Sequence, residues 1–127
     1  MDEQRLLELT DELALQFPGT EKEHPFGPET DVYKVHGRMF LMHIDLRGQR
    51  LVNLKVEPED SKALRDEFDE VTPGYHMSKK HWVSVRAGEG LTEELVRELV
   101  VDSYRLVVEK LPRRERPVDP ETFGTTP

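Results

Sequence analysis

The 127-residue sequence predicts an α+β two-layer sandwich, a five-stranded antiparallel sheet with helices on one face, in the order α-β-β-β-α-β-β-α. Three observations predict it. Apolar residues recur at spacings of three and four near both ends of the chain. Between residues 31 and 56 the period changes to two, and connections of two or three residues permit only antiparallel neighbours. After residue 73 a β-favouring run follows a Pro-Gly pair, the mark of a further hairpin.

The first helix is expected from Asp2 to Phe17. Leu6, Leu9, Leu13 and Phe17 form its stripe, Leu7 and Ala14 widen it, Asp2 is the N-cap, and Pro18-Gly19 ends it. Thr20 to Thr30 carries His24-Pro25-Phe26-Gly27-Pro28, too rich in Pro and Gly for a regular element, so an ordered loop pinned by Phe26 is expected. Val32 to His36 is the first strand, and His36-Gly37-Arg38 a tight turn. Met39 to Leu46 is the second strand, with Phe40, Met42, Ile44 and Leu46 on one face and Met39, Leu41, His43 and Asp45 on the other. Arg47-Gly48-Gln49 turns into a third strand, Arg50 to Val56. There Val52, Leu54 and Val56 face inward, and Leu51, Asn53 and Lys55 outward.

Glu57-Pro58-Glu59-Asp60 opens a second helix reaching about Phe68, with Pro at the first helical position and acids in the first turn. The hairpin follows, its tip at Ser78-Lys79-Lys80 and its second arm at Trp82-Val83-Ser84-Val85. Val83 and Val85 share one face, while Trp82, Ser84 and Arg86 share the other. Thr92 caps a third helix running to about Leu111, with a wide face of leucines and valines, and Pro112 stops it. A single domain is expected over residues 1–112, and residues 113–127 read as a flexible tail.

Composition narrows the function. There is no cysteine, which excludes disulfides and cysteine-based zinc sites or nucleophiles. No apolar run approaches the ~20 residues of a membrane span. The start of the chain, Met1-Asp2-Glu3-Gln4-Arg5, lacks the pattern of a secretory signal, so a cytoplasmic, monomeric protein without membrane contact is the expectation. The net charge of −8 is uneven. Residues 1–30 hold 2 basic and 8 acidic side chains, whereas residues 31–86 hold 10 and 9. Phosphate repels a net-acidic protein at long range, so any nucleic-acid contact must come from a local patch in the middle segment.

Lys79 and Lys80 at the hairpin tip, with His81, Trp82 and Arg86 on its second arm, are the candidates for such a patch. Lys34, Arg38, Arg47, Arg50 and Lys55 add cations on the neighbouring faces and turns. Lysine also blunts exposed strand edges, and that structural reading stands beside the functional one. An acidic ridge, Glu8, Asp11 and Glu12, lies on the outer face of the first helix. It is a candidate for divalent cations or a solvated surface. His24, His76 and His81 lack convergent partners in sequence. No phosphate-cradling glycine loop, Gly-x-Ser-x-Gly elbow or His-Glu-x-x-His helix is present, so a non-enzymatic protein without a cofactor is expected.

His76-Met77-x-Lys79-x-His81-Trp82-x-Ser84-Val85, followed by Asp102-Ser103-Tyr104-x-Leu106-Val107, resembles the MmcQ/YjbR family. Pro18-Gly19, Pro25-Phe26-Gly27, Tyr33-Lys34-Val35, Gly37-x-Met39-Phe40 and Leu54-Lys55 with Pro58 agree in order, so the likeness spans roughly residues 5 to 112. The resemblance implies a CyaY-like fold and a weak, salt-sensitive DNA-binding role through a double wing of sheet loops. Carried onto this chain, that reading falls on Lys79, Lys80, His81, Trp82 and Arg86, with Arg38, Arg47 and Arg50 on the neighbouring turns. Two alternatives stand beside it: a protein- or peptide-binding adaptor of secretion-chaperone-like fold, and a frataxin-like metal binder using Glu8, Asp11 and Glu12.

Overall fold

A computed structural model describes residues 1–125. Helix α1 spans Glu3–Gln16, and Asp2 caps it by accepting from the Arg5 amide at 2.8 Å. Four strands follow: β1 Thr20–Glu23, β2 Asp31–Val35, β3 Arg38–Leu46 and β4 Gln49–Lys55. Then come α2 Pro58–Glu67, β5 Val71–Pro73, β6 Trp82–Val85 and α3 Glu93–Glu109, with Thr92 capping α3 through the Leu95 amide. The sheet is antiparallel, in the order β1-β2-β3-β4-β6-β5.

The α+β class with one antiparallel sheet therefore holds, but the sheet has six strands rather than five, and the element order gains a strand after α1. The added strand is β1. Its sequence, Thr-Glu-Lys-Glu, has no apolar alternation because it is an edge strand with its two central side chains exposed. Phe26, expected to pin the loop that follows, is 74% exposed.

Both predicted turns are two-residue hairpin loops with positive φ throughout: His36 and Gly37 at 48° and 76°, Arg47 and Gly48 at 53° and 87°. Such primed turns match the twist of the strands they join, and glycine takes the second position without a Cβ clash.

The register between β2 and β3 slips by one residue. Tyr33 faces Leu41 while Lys34 faces Met39, so Phe40 is an extra, bulged residue. Strict alternation puts Phe40 with Met42, Ile44 and Leu46. The bulge instead turns both Phe40 and Leu41 into the helix-side core, leaving Met42 and Ile44 on the outer face. Ser103 of α3 spans the irregularity. Its hydroxyl donates to the Phe40 carbonyl and accepts from the Lys55 amide at 2.8 Å, tying α3 to two strands.

The main core lies between the sheet and helices α1 and α3. It is built from Leu6, Leu9, Leu13, Val52, Leu54, Val83, Val85, Val96, Val100 and Tyr104, among others. Val52, Leu54, Val83 and Val85 face inward as their alternation predicts. Helix α2 contributes less. Leu64 and Phe68 pack against the core only in part, and Ser61 is its one fully buried residue. The outer sheet face carries a second, smaller apolar cluster, Val32, Met42, Ile44 and Leu51, roofed by Tyr75 and Met77 from the β5–β6 loop.

The segment expected as a tail is packed. After Pro112, a 3-10 turn at Arg113–Glu115 reverses the chain, and Val118 and Phe123 return to the core. Phe123 stands edge-on to Phe17 at 5.2 Å between ring centres and lies 5.0 Å from Tyr104. Arg105 donates to the Pro120 carbonyl at 2.7 Å, and Arg116 donates to the Glu109 and Leu111 carbonyls at the end of α3. The polar composition of this stretch hides two apolar anchors. Thr126 and Pro127, part of the same expected tail, lie outside the described residues.

Candidate nucleic-acid interface

The antiparallel register sorts the candidate cations between the two ends of the sheet. Leu41 pairs with Leu54, so the start of β3, with Arg38, lies at the same end as Lys55. Lys55 in turn pairs with Trp82 on β6, and the His81 carbonyl accepts from the Val56 amide at 2.9 Å. The hairpin residues therefore enter at the Arg38–Lys55 end. Lys110, at the C-cap of α3, joins them there. Burial lowers the affinity of the Lys55 ammonium for its proton, and the positive charges of Lys110 and Arg38 lower it further against the opposing pull of Glu57. Among the described residues, none of Arg38, Lys55, Lys79, Lys80 and Lys110 forms an ion pair. Lys110 is the member missing from the sequence-derived set, because helical spacing shows where an α3 residue points but not which sheet end it reaches.

The loop between β5 and β6 is compact and closely bonded to the strands beside it. Gly74 passes so close to β6 that a Cβ there would meet the Trp82 Cβ at 2.7 Å. The Tyr75 amide donates to Ser84 Oγ, which donates to Asn53 Oδ1, and Asn53 Nδ2 returns to the Tyr75 carbonyl at 3.1 Å. The Ser78 carbonyl accepts from the amides of His81 and Trp82. Lys79 is drawn back into the loop, its ammonium donating to the Gly74 carbonyl at 2.9 Å. Lys79 nonetheless remains exposed, as do Lys80 and His81, and Trp82 is half-buried. His76, at φ 59°, packs its ring at a tilt against that of Tyr75, 4.0 Å between ring centres.

The other three candidates do not join this end. Arg47 sits in the β3–β4 turn at the opposite end, and Arg50 faces Asp45 beside it and donates to the Glu29 carbonyl at 3.0 Å. Arg86 follows Val85, which pairs with Val52, and its guanidinium donates to the carbonyls of Asp69 and Ala87.

A second polar constellation, not foreseen from the sequence, joins α1 to β1, β2 and β3. His43, 2% exposed, has Nδ1 2.9 Å from Asp31 Oδ2 and Nε2 2.8 Å from the Thr10 hydroxyl. The other Asp31 oxygen lies 2.8 Å from Nε2 of the half-exposed His24. Burial pushes the His43 imidazole towards its neutral form, with Asp31 opposing. Burial pushes the Asp31 carboxyl up, but its bonds to His43 and His24 outweigh this and hold it below the usual carboxylate range. Neutral His43 accordingly donates from Nδ1 to Asp31. Alongside, Tyr33 donates to Asp11, which also receives the Lys22 ammonium at 2.8 Å. Burial and that carboxylate raise the Tyr33 phenol far above its ordinary value.

This network locks the helix to the sheet, and it commits Asp11 of the acidic ridge to Tyr33 and Lys22. Glu8 accepts from Gln4, and Glu12 lies 4.0 Å from Arg5. Among the described residues, no three His, Cys, Asp or Glu side chains converge as a metal ion would require, and no helix is long and apolar enough to cross a membrane.

Comparison with known proteins agrees with this fold. A family model described as YjbR matches residues 15–106. "Uncharacterized protein YbdF" of Escherichia coli O157:H7 is 45% identical over 116 residues, covering 91% of this chain and 95% of that protein. "Uncharacterized protein YjbR" of Escherichia coli strain K12 is 30% identical over 99 residues, covering 78% and 84%. The crystal structure of Deinococcus radiodurans protein DR2400 superposes with a TM-score of 0.78 at 33% identity, over 87% of this chain and 84% of that one.

Proposed function

The chain belongs to the YjbR family, and on that premise we propose that it is a non-enzymatic DNA-binding module of CyaY-like fold. It grips the phosphate backbone at one end of its sheet. Arg38, Lys55 and Lys110 form the grip, Lys80 and His81 extend it from the β5–β6 loop, and Trp82 flanks it. One observation carries the reading: Lys55 is held among like charges without an ion-pair partner among the described residues. Cations gathered this way repel one another, and an anion relieves that repulsion.

The patch is small and the protein acidic, so binding is weak and depends strongly on salt. About four phosphate contacts give a slope of roughly −3.6 in log affinity against log salt, or a ~150-fold loss between 50 and 200 mM. Fluorescence anisotropy with a labelled duplex tests this. Lys55→Ala/Lys110→Ala is expected to flatten the slope by about two, and Lys80→Ala by about one. Arg47→Ala and Arg86→Ala, at the far end, are expected to leave it unchanged. Absence of binding at ~20 mM salt, where counterion release favours association most, would sink the DNA reading. Equal losses in all four variants would sink the assignment to this end.

A further inference from the structure

Helices α2 and α3 lie side by side on the helical layer with a groove of about 240 Å³ between them. Its apolar lining comes from Ala63 and Leu64 of α2 and Leu95, Leu99 and Leu106 of α3. Leu99 is buried, but Leu64, Leu95 and Leu106 are only half-buried, so the floor is not closed by the fold itself. The rim is acidic throughout. Glu57, Asp60 and Glu67 line one side, Glu98 and Asp102 the other, and no Lys, Arg or His lines the groove.

We infer that this groove is the docking site for a basic amphipathic helix of a partner protein. The apolar stripe of that helix fills the leucine floor, and its Lys and Arg side chains meet the two acidic walls. Charge complementarity fixes the sign of the partner, and geometry fixes its form. The lining runs from the N-cap Glu57 to Glu67 of α2 and over residues 95–106 of α3, about 15 Å at 1.5 Å per residue, or three turns of a third helix. An extended segment is less suited, because helix walls offer no free backbone groups to pair with it. A helix needs only side-chain pockets.

Two features of the walls point the same way. Among the described residues, Asp102 has one cationic neighbour, Arg105 at 3.9 Å, and that guanidinium already donates to the Pro120 and Glu121 carbonyls. Burial raises the Asp102 carboxyl, and the negative charges of Asp60 and Glu98 raise it further against Arg105. The free protein thus keeps these carboxylates together and solvent-exposed along the groove, open to a cation. The inference rests on other residues than the DNA reading, although the groove begins beside the Lys55 patch, where Glu57 lines the one and acts on the other.

The test uses the full chain and a 14-residue synthetic peptide of leucine and lysine, with leucines at helical spacing. A scrambled peptide of the same composition is the control. In 1H–15N spectra the patterned peptide is expected to shift amides in residues 57–67 and 95–106 and to bind at least tenfold more tightly than the scrambled one. Glu98→Gln/Asp102→Asn, which leaves the first-turn acids of α2 in place, is expected to weaken binding at least tenfold with amide positions outside the groove unchanged. Unchanged affinity in that variant would overturn the proposal. Equal affinity for both peptides, shifts centred on Glu8 and Glu12 of α1, or no binding would overturn the proposal. So would concentration-dependent shifts of the groove without peptide, which would mark a second copy of the chain as its occupant.

Discussion

Replacing Asp31 with alanine removes one carboxylate and strands a buried imidazole. His43 would keep its Nδ1–H inside the protein, 2% exposed, with no acceptor in place of the oxygen now at 2.9 Å. Leaving such a donor unpaired costs about 1–3 kcal/mol, and a bond to a charged acceptor contributes about 1.5–3. The two estimates overlap, so a loss near 3 kcal/mol is expected. The His24 contact is half-exposed and adds less than ~1 kcal/mol. At ~4 °C per kcal/mol for a chain of this size, the melting temperature falls by about 12 °C.

Urea unfolding with an unchanged m-value measures the loss directly, and the pH profile gives a second check. The His43 pKa is depressed in the fold, so from its unfolded value of ~6.5 downward the unfolded chain takes up a proton that the folded chain resists. Wild-type stability therefore falls as pH drops through that range. It falls again as the depressed Asp31 carboxyl titrates, below its unfolded value of ~4. In the variant the second fall loses the Asp31 contribution. The first deepens, because the charge that favoured protonated His43 is gone. A loss below ~1 kcal/mol with an unaltered pH profile would refute the network as the lock between α1 and the sheet.

Ser103→Ala leaves the Phe40 carbonyl and the Lys55 amide without their shared partner, so stability falls by about 2 kcal/mol and the Lys55 amide exchanges faster with deuterated solvent. Unchanged exchange would mean that the bulge is held by packing alone. Phe123→Ala empties a site against Phe17 and Tyr104 and costs about 1–2 kcal/mol, read by thermal melting and by movement of the Phe17 and Tyr104 ring resonances. If residues 113–125 were free of the domain, neither would change.

What could be read in advance follows from how far each signal reaches. The helices, both primed turns and the inward valines rest on periodicities within one element, and these survive folding unchanged. Phe40 was illegible because a bulge is a relation between two strands: alternation within β3 alone assigns it to the wrong face. Strand β1 was missed because Glu21 and Lys22 are exposed on an edge, where pairing is carried by the backbone. The packed stretch after Pro112 rests on Val118 and Phe123, too sparse to set a period. At the candidate interface, charge alone grouped Arg47, Arg50 and Arg86 with Lys79 and Lys80, and only the register separated them. The Thr10–His43–Asp31 chain draws on residues 33 and 12 apart in sequence, so no motif spacing announces it.

The two margins of the sheet limit how the protein meets others. At one margin β1 alternates Glu21, Lys22 and Glu23. At the other, β5 is three residues long and ends in Pro73, which has no amide proton to give. A visiting strand would find charge along one border and a foreshortened, donor-poor ladder along the other. Growth by strand addition, the route to pilus-like or amyloid-like continuation, is thereby discouraged at both borders. That leaves contact with other molecules to surfaces that read side chains, as both the proposed cationic end of the strands and the proposed furrow between the helices would.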